Sequence, residues 1–121
     1  MIRWVLLIVI LLLSACGTST GGPTSGLAQI DSVDVRVAES FPPQVFVHIR
    51  GTLGDGCTSL GTISQERKNN AITITVRTNH SGADACTAIA TLLDETIRLD
   101  GDFGPGQYTV TVNGVVQTFT I

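Results

Sequence analysis

The sequence predicts an all-β protein: two packed sheets built from about seven short antiparallel strands. Three observations carry this. From Ile30 onward, apolar β-branched residues recur with a period of two, and no stretch shows a convincing helical period. Turn-forming residues separate the apolar runs. Six or seven such runs fit between Ile30 and Ile121, too many for one sheet with a solvated face and enough for a sandwich.

The elements follow in order. Val33, Val35 and Val37 alternate with Asp34 and Arg36. Pro42-Pro43 ends what precedes it, and Val45, Val47 and Ile49 then alternate with Phe46, His48 and Arg50. Residues 61–67, GTISQER, form a short third strand, closed by Lys68-Asn69-Asn70. Ile72, Ile74 and Val76 alternate with Thr73, Thr75 and Arg77. Residues 87–99, TAIATLLDETIRL, end in alternation, with Ile97 and Leu99 inward. The front half, CTAIATLL, fits either a strand or a helical turn or two. Glu95 shares the inward parity, which places it near a rim or beside a bulge.

Residues 100–106, DGDFGPG, form a tight loop before Tyr108, Val110 and Val112. Asn113-Gly114 is a strong hairpin signal, because both residues tolerate positive φ in a type I′ turn. Val115, Phe119 and Ile121 share the inward parity of the last strand. The outward threonines at 73, 75, 109, 111, 118 and 120 carpet one sheet face, as β-propensity alone favours.

The start of the chain has another texture. Residues 4–13, WVLLIVILLL, are continuously apolar and follow Arg3. A bilayer span needs about 20 residues, so this run fits a secretory signal. Leu13-Ser14-Ala15-Cys16 resembles the lipobox of bacterial lipoproteins: an aliphatic residue, two small ones, then cysteine. The resemblance implies that residues 1–15 are removed and that Cys16 becomes the lipid-bearing first residue. Gly17 follows, with no aspartate at that position. In enterobacterial lipoproteins an aspartate there favours inner-membrane retention. Residues 16–29 then read as a flexible tether, since GTSTGGPTSG cannot bury enough apolar area to order itself. The domain itself is expected over residues 30–121.

Three cysteines are an odd number for an exported protein. If lipid consumes Cys16, Cys57 and Cys86 remain as a disulfide pair between two loops. They form no C-x-x-C motif, and their spacing matches no zinc pattern. Asp100 and Asp102 lack the spacing of an EF-hand and read as a solvated acidic loop.

The domain resembles small immunoglobulin-like modules of uncharacterised bacterial lipoproteins. The resemblance rests on FPPQVFVHIRGTLGDGC and LDGDFGPGQYTVTVNGVVQTFTI. It implies an immunoglobulin-like β-sandwich without agreed catalytic residues. Gly104-Pro105-Gly106-Gln107-Tyr108 resembles the tyrosine corner of such sandwiches, which implies a hydroxyl tied back to the loop backbone. The aspartate and cysteine that usually accompany that corner do not stand at the standard spacing.

The expected function is a lipid-anchored, non-enzymatic interaction or accessory module of the cell envelope. Its partners would be the membrane, through lipid at Cys16, and an envelope protein or glycan. Candidate binding loops carry Phe41, Asp55, Asp84, Asp102 and Phe103. No cofactor, metal or nucleic acid is expected: the net charge is −3, with no polybasic patch. His48 reads as a strand residue facing away from the core, and His80 as a turn residue. No nucleophile elbow is present. A purely structural envelope protein is the alternative. A third reading is a protease inhibitor using loops 53–60, 79–87 and 100–106.

Overall fold

The computed structural model describes Gly17 and residues 22–121. Cys16 and the lipobox lie outside the described residues. Eight strands follow one another: β1 (Thr24–Leu27), β2 (Gln29–Ala38), β3 (Gln44–Gly54), β4 (Thr58–Lys68), β5 (Ala71–His80), β6 (Thr91–Arg98), β7 (Gln107–Val112) and β8 (Val115–Thr120). They form two sheets, one of five strands and one of three in the order β2-β3-β6. The chain is a β-sandwich, as its alternating runs predict.

The period of two explains the packing. Val45, Val47 and Ile49 of β3 meet Ile72, Ile74 and Val76 of β5, with Tyr108, Val110 and Val112 of β7; all are buried. Burying each such side chain favours folding by roughly 1.5–3 kcal/mol. The threonine carpet forms on the outer face of the larger sheet, where Thr109 pairs with Thr118 and Thr111 with Thr73.

Three expectations are corrected. First, the strands are not all antiparallel, because β5 and β7 pair in parallel. Strand β4 occupies one edge of β5 along its length, while β1 pairs with residues 77–80 and β7 with residues 71–74. Those two short strands therefore share the opposite edge, end to end. Second, the domain starts before residue 30. Thr24–Leu27, which composition assigns to the tether, form β1. The four residues are exposed, so the pairing with β5 orders them rather than apolar burial. Third, the strand expected from residue 87 starts late: residues 86–90 are irregular, neither strand nor helix, and β6 begins at Thr91.

The expected rim position of Glu95 holds. It lies opposite Ile49 on β6, an edge strand, and is half-buried. The β3–β6 register runs unbroken from Phe46–Arg98 to Thr52–Leu92, so no bulge is involved. Gly51 sits where β2 crosses closely: a Cβ there would stand 1.9 Å from the carbonyl oxygen of Gln29. The Asn113-Gly114 hairpin also holds, with φ of 45° and 88°.

Candidate functional site

The described residues contain two places where polar side chains converge: the outer face of the three-stranded sheet and the end closed by the disulfide.

On the outer face the even-numbered residues of β2 from Ser32 onward, with those of β3 and β6 that pair across from them, point away from the core. The register sets them in rows. Arg36, Phe46 and Arg98 lie side by side, then Asp34, His48 and Thr96, then Ser32, Arg50 and Asp94. Between them is an open concavity of about 640 Å3, lined by residues that include Arg36, Phe46, His48 and Arg50. Phe46 and His48 are half-buried, while Arg36, Arg50 and Arg98 are exposed.

His48 Nε2 lies 2.5 Å from Asp94 Oδ1, a diagonal contact between neighbouring strands. The hydrogen bond from His48 holds the Asp94 carboxyl below its usual range, and the positive field of His48 and Arg50 adds to this. Among the described residues, none of Arg36, Arg50 and Arg98 forms an ion pair, whereas His48 and Asp94 satisfy each other. Sequence reasoning placed Phe46, His48 and Arg50 on one face but found no site there. The missing signal is cross-strand register, which a single sequence leaves open.

At the opposite flank of β3, Cys57 and Cys86 form a disulfide with a Cα separation of 5.4 Å. It joins the β3–β4 turn to the β5–β6 connection. Asp55 organises this end. Its Oδ1 accepts hydrogen bonds from the Cys57 main-chain N–H at 3.0 Å and from the Thr58 hydroxyl at 2.9 Å. Its Oδ2 lies 3.4 Å from His80 Nε2. These bonds, Thr58 first, hold the Asp55 carboxyl below its usual range.

The His80 tautomer follows from its neighbours. Nδ1 accepts the Gly82 N–H at 3.0 Å, so Nε2 carries the proton and donates toward Asp55. Ligating atoms of Asp55, Cys57, His80 and Cys86 all lie within 4.8 Å of one another. With the sulfurs joined and Nε2 protonated, this group acts as a clasp: hydrogen bonds and a covalent bond hold two loops together.

The expected binding loops do not converge. Asp55 and Asp84 lie at the disulfide end. Phe41, Asp102 and Phe103 lie at the other, where β3 begins and β6 ends. The loops 53–60, 79–87 and 100–106 therefore cannot enter one cleft together. Phe41 is fully exposed and Asp102 is exposed.

Phe103, expected in a candidate binding loop, is a core residue, 3% exposed. The ring turns inward because two aromatic partners wait there: Tyr108 at 5.2 Å and Phe119 at 5.9 Å between centroids. The Arg67 guanidinium caps it from outside, 4.5 Å from the ring centre, and donates to the Asp102 carbonyl at 2.7 Å. The Tyr108 hydroxyl donates to the Gly104 carbonyl at 2.9 Å, the tie the tyrosine-corner resemblance implies.

The matches to known proteins cover this same assembly. Residues 47–121 match the ORF11 beta-sandwich domain. The chain belongs to the ORF11 beta-sandwich family. Within the family match lie the disulfide clasp, the aromatic plug and strand β6, while β2 with Asp34 and Arg36 precedes it.

Relatives extend the similarity upstream. The chain is 37% identical over 92 residues to the "Uncharacterized 10.2 kDa protein in HgiCIIM 5'region" of Herpetosiphon aurantiacus, covering 76% of this chain and 98% of that protein. It is 38% identical over 82 residues to the counterpart in the HgiBIM 5'region of the same organism, covering 68% of this chain and 100% of the relative. No solved structure matches the chain.

Proposed function

We propose that this ORF11 beta-sandwich protein is a lipid-anchored, extracytoplasmic interaction module of the bacterial cell envelope, acting by binding and not by catalysis. The observation that carries the reading is the groove on the β2-β3-β6 face, where Arg36 and Arg50, neither in an ion pair among the described residues, line a concavity around the half-buried Phe46 ring. Such a surface suits recognition by charge and stacking. Location is supported by two features. Leu13-Ser14-Ala15-Cys16 fits lipoprotein processing, and the Cys57–Cys86 disulfide suits an oxidising compartment.

Photocrosslinking in the native host tests the reading. A photoreactive residue replacing Thr96 on the groove face is compared with one replacing Thr73 on the opposite sheet. Specific crosslinks from position 96 alone are expected. Equal crosslinking from both positions, or none from either, would instead favour a purely structural envelope protein.

A further inference from the structure

We infer that the groove on the β2-β3-β6 face is a binding site for an acidic oligosaccharide, a chain of sugar rings that carry carboxylates. The inference rests on the reading of this face as the binding surface and adds the class of ligand.

The rows of the sheet give the groove two cationic ends and a mixed middle. At one end Arg36 lines the groove beside Phe46, and Arg98 stands outside the lining on the other side of Phe46 in register. At the other stands Arg50, four residues along β3, about 14 Å away at a rise of ~3.4 Å per residue. Three strands at about 4.8 Å spacing make the groove floor about 10 Å wide, room for one extended polymer. Guanidinium groups bind planar carboxylates through two parallel N–H donors. None of the three forms an ion pair among the described residues; Arg50 lies opposite Asp94, whose carboxylate is bonded to His48.

The middle of the groove selects among anionic polymers. Asp34 and Thr96 lie on either side of His48, and Asp94 is bound to His48. A carboxylate and a hydroxyl at the centre accept hydrogen bonds from sugar hydroxyls. A polyanion whose repeating groups carry no hydroxyl leaves the Asp34 carboxylate without a donor, so the centre favours a hydroxylated chain over an acidic peptide. Phe46 supplies an apolar ring against which the C–H face of a sugar can pack. A ligand with spaced carboxylates, hydroxyls between them and an apolar ring face satisfies all three demands.

The test is calorimetric titration of the full chain in detergent, disulfide intact. The probes are oligogalacturonate, a neutral glucan oligomer of equal length, and polyglutamate. The expected result is saturable binding of oligogalacturonate alone. Arg36→Ala and Arg50→Ala should each weaken it about tenfold or more, as loss of a charged hydrogen-bonding pair does. Phe46→Leu should weaken it without unfolding the chain. Arg77→Ala, the same charge change on the other sheet, should leave it unaltered.

Absence of oligogalacturonate binding would overturn the inference, as would equal binding of the neutral glucan or insensitivity to both groove arginines. Tighter binding of polyglutamate would also overturn it and assign the groove to an acidic protein. Crosslinking from position 96 reads separately. If it succeeds while oligogalacturonate fails, the face is a docking surface and only the ligand class is wrong.

Discussion

The side-chain amide of Asn113 pairs with both main-chain polar atoms of Val76. Its Oδ1 accepts the Val76 N–H at 2.9 Å, and its Nδ2 donates to the Val76 carbonyl at 2.9 Å. The same Nδ2 donates to the Ala28 carbonyl at 2.8 Å. Residues 75 and 76 lie between the stretch of β5 taken by β7 and the stretch taken by β1. The Val76 carbonyl also accepts the Ala28 N–H at 3.0 Å, so at this seam the turn residue supplies the acceptor for the Val76 N–H, as a peptide group would.

Replacing that amide should cost stability. Asn113→Gly keeps the backbone freedom that φ of 45° requires but removes every side-chain bond. It leaves the Val76 N–H and the Ala28 carbonyl unmet, at about 1–3 kcal/mol for each orphaned group. Urea denaturation checks this. A loss below about 0.5 kcal/mol would show that water replaces the amide.

How far sequence reaches is visible here. Asn113-Gly114 was legible as a hairpin because a type I′ turn needs positive φ at both positions. The carboxamide's second task was hidden, because it depends on β1 and β7 meeting end to end on one strand. β1 itself was hidden for the same reason: a short, exposed strand rich in polar and small residues has no apolar pattern, and only its partner orders it. By contrast, β2, β3, β5 and β7 each bury one face, so alternation reveals them. The groove lies between these outcomes. Alternation places Phe46, His48 and Arg50 on the outward face, but rows across strands require register.

Phe103 and Phe41 make a matched pair of loop phenylalanines. Phe103→Ala removes a ring packed on Tyr108 and Phe119 and should cost about 3–5 kcal/mol. Phe41→Ala should change stability by less than about 0.5 kcal/mol, since Phe41 is fully exposed. Paired thermal and urea melts decide it. Equal effects would contradict the inward placement of Phe103.

The disulfide spans a sequence separation of 29. Closing such a loop should stabilise the fold by roughly 3–4 kcal/mol on the chain-entropy account. Cys57→Ser with Cys86→Ser should lose that amount in urea, and a dithiol reductant should reproduce the loss in the unsubstituted chain. Unchanged stability after verified reduction would show that the Asp55–Thr58–His80 hydrogen bonds suffice to hold this end.

Acid should weaken both the disulfide end, through Asp55, and the His48–Asp94 contact on the outer face. The Asp55 and Asp94 carboxyls are both held below the ordinary value of 3.8 in the folded chain. A depressed folded pKa means the stabilisation is fully present above about 4 and fades as pH falls through the folded value. Carboxyl-detected NMR should show both groups titrating below 3.8. Asp55→Asn should flatten the dependence of stability on pH below 4. Titration of Asp55 at or above 3.8 would contradict the clasp.

The reading of this family member as an anchored module turns most directly on the mass of its native amino terminus. Intact protein isolated from the host membrane should begin at Cys16 and carry a diacylglyceryl thioether. A free Cys16 thiol or a retained Met1 would contradict it, and would also remove the explanation for an odd cysteine beside the Cys57–Cys86 bond.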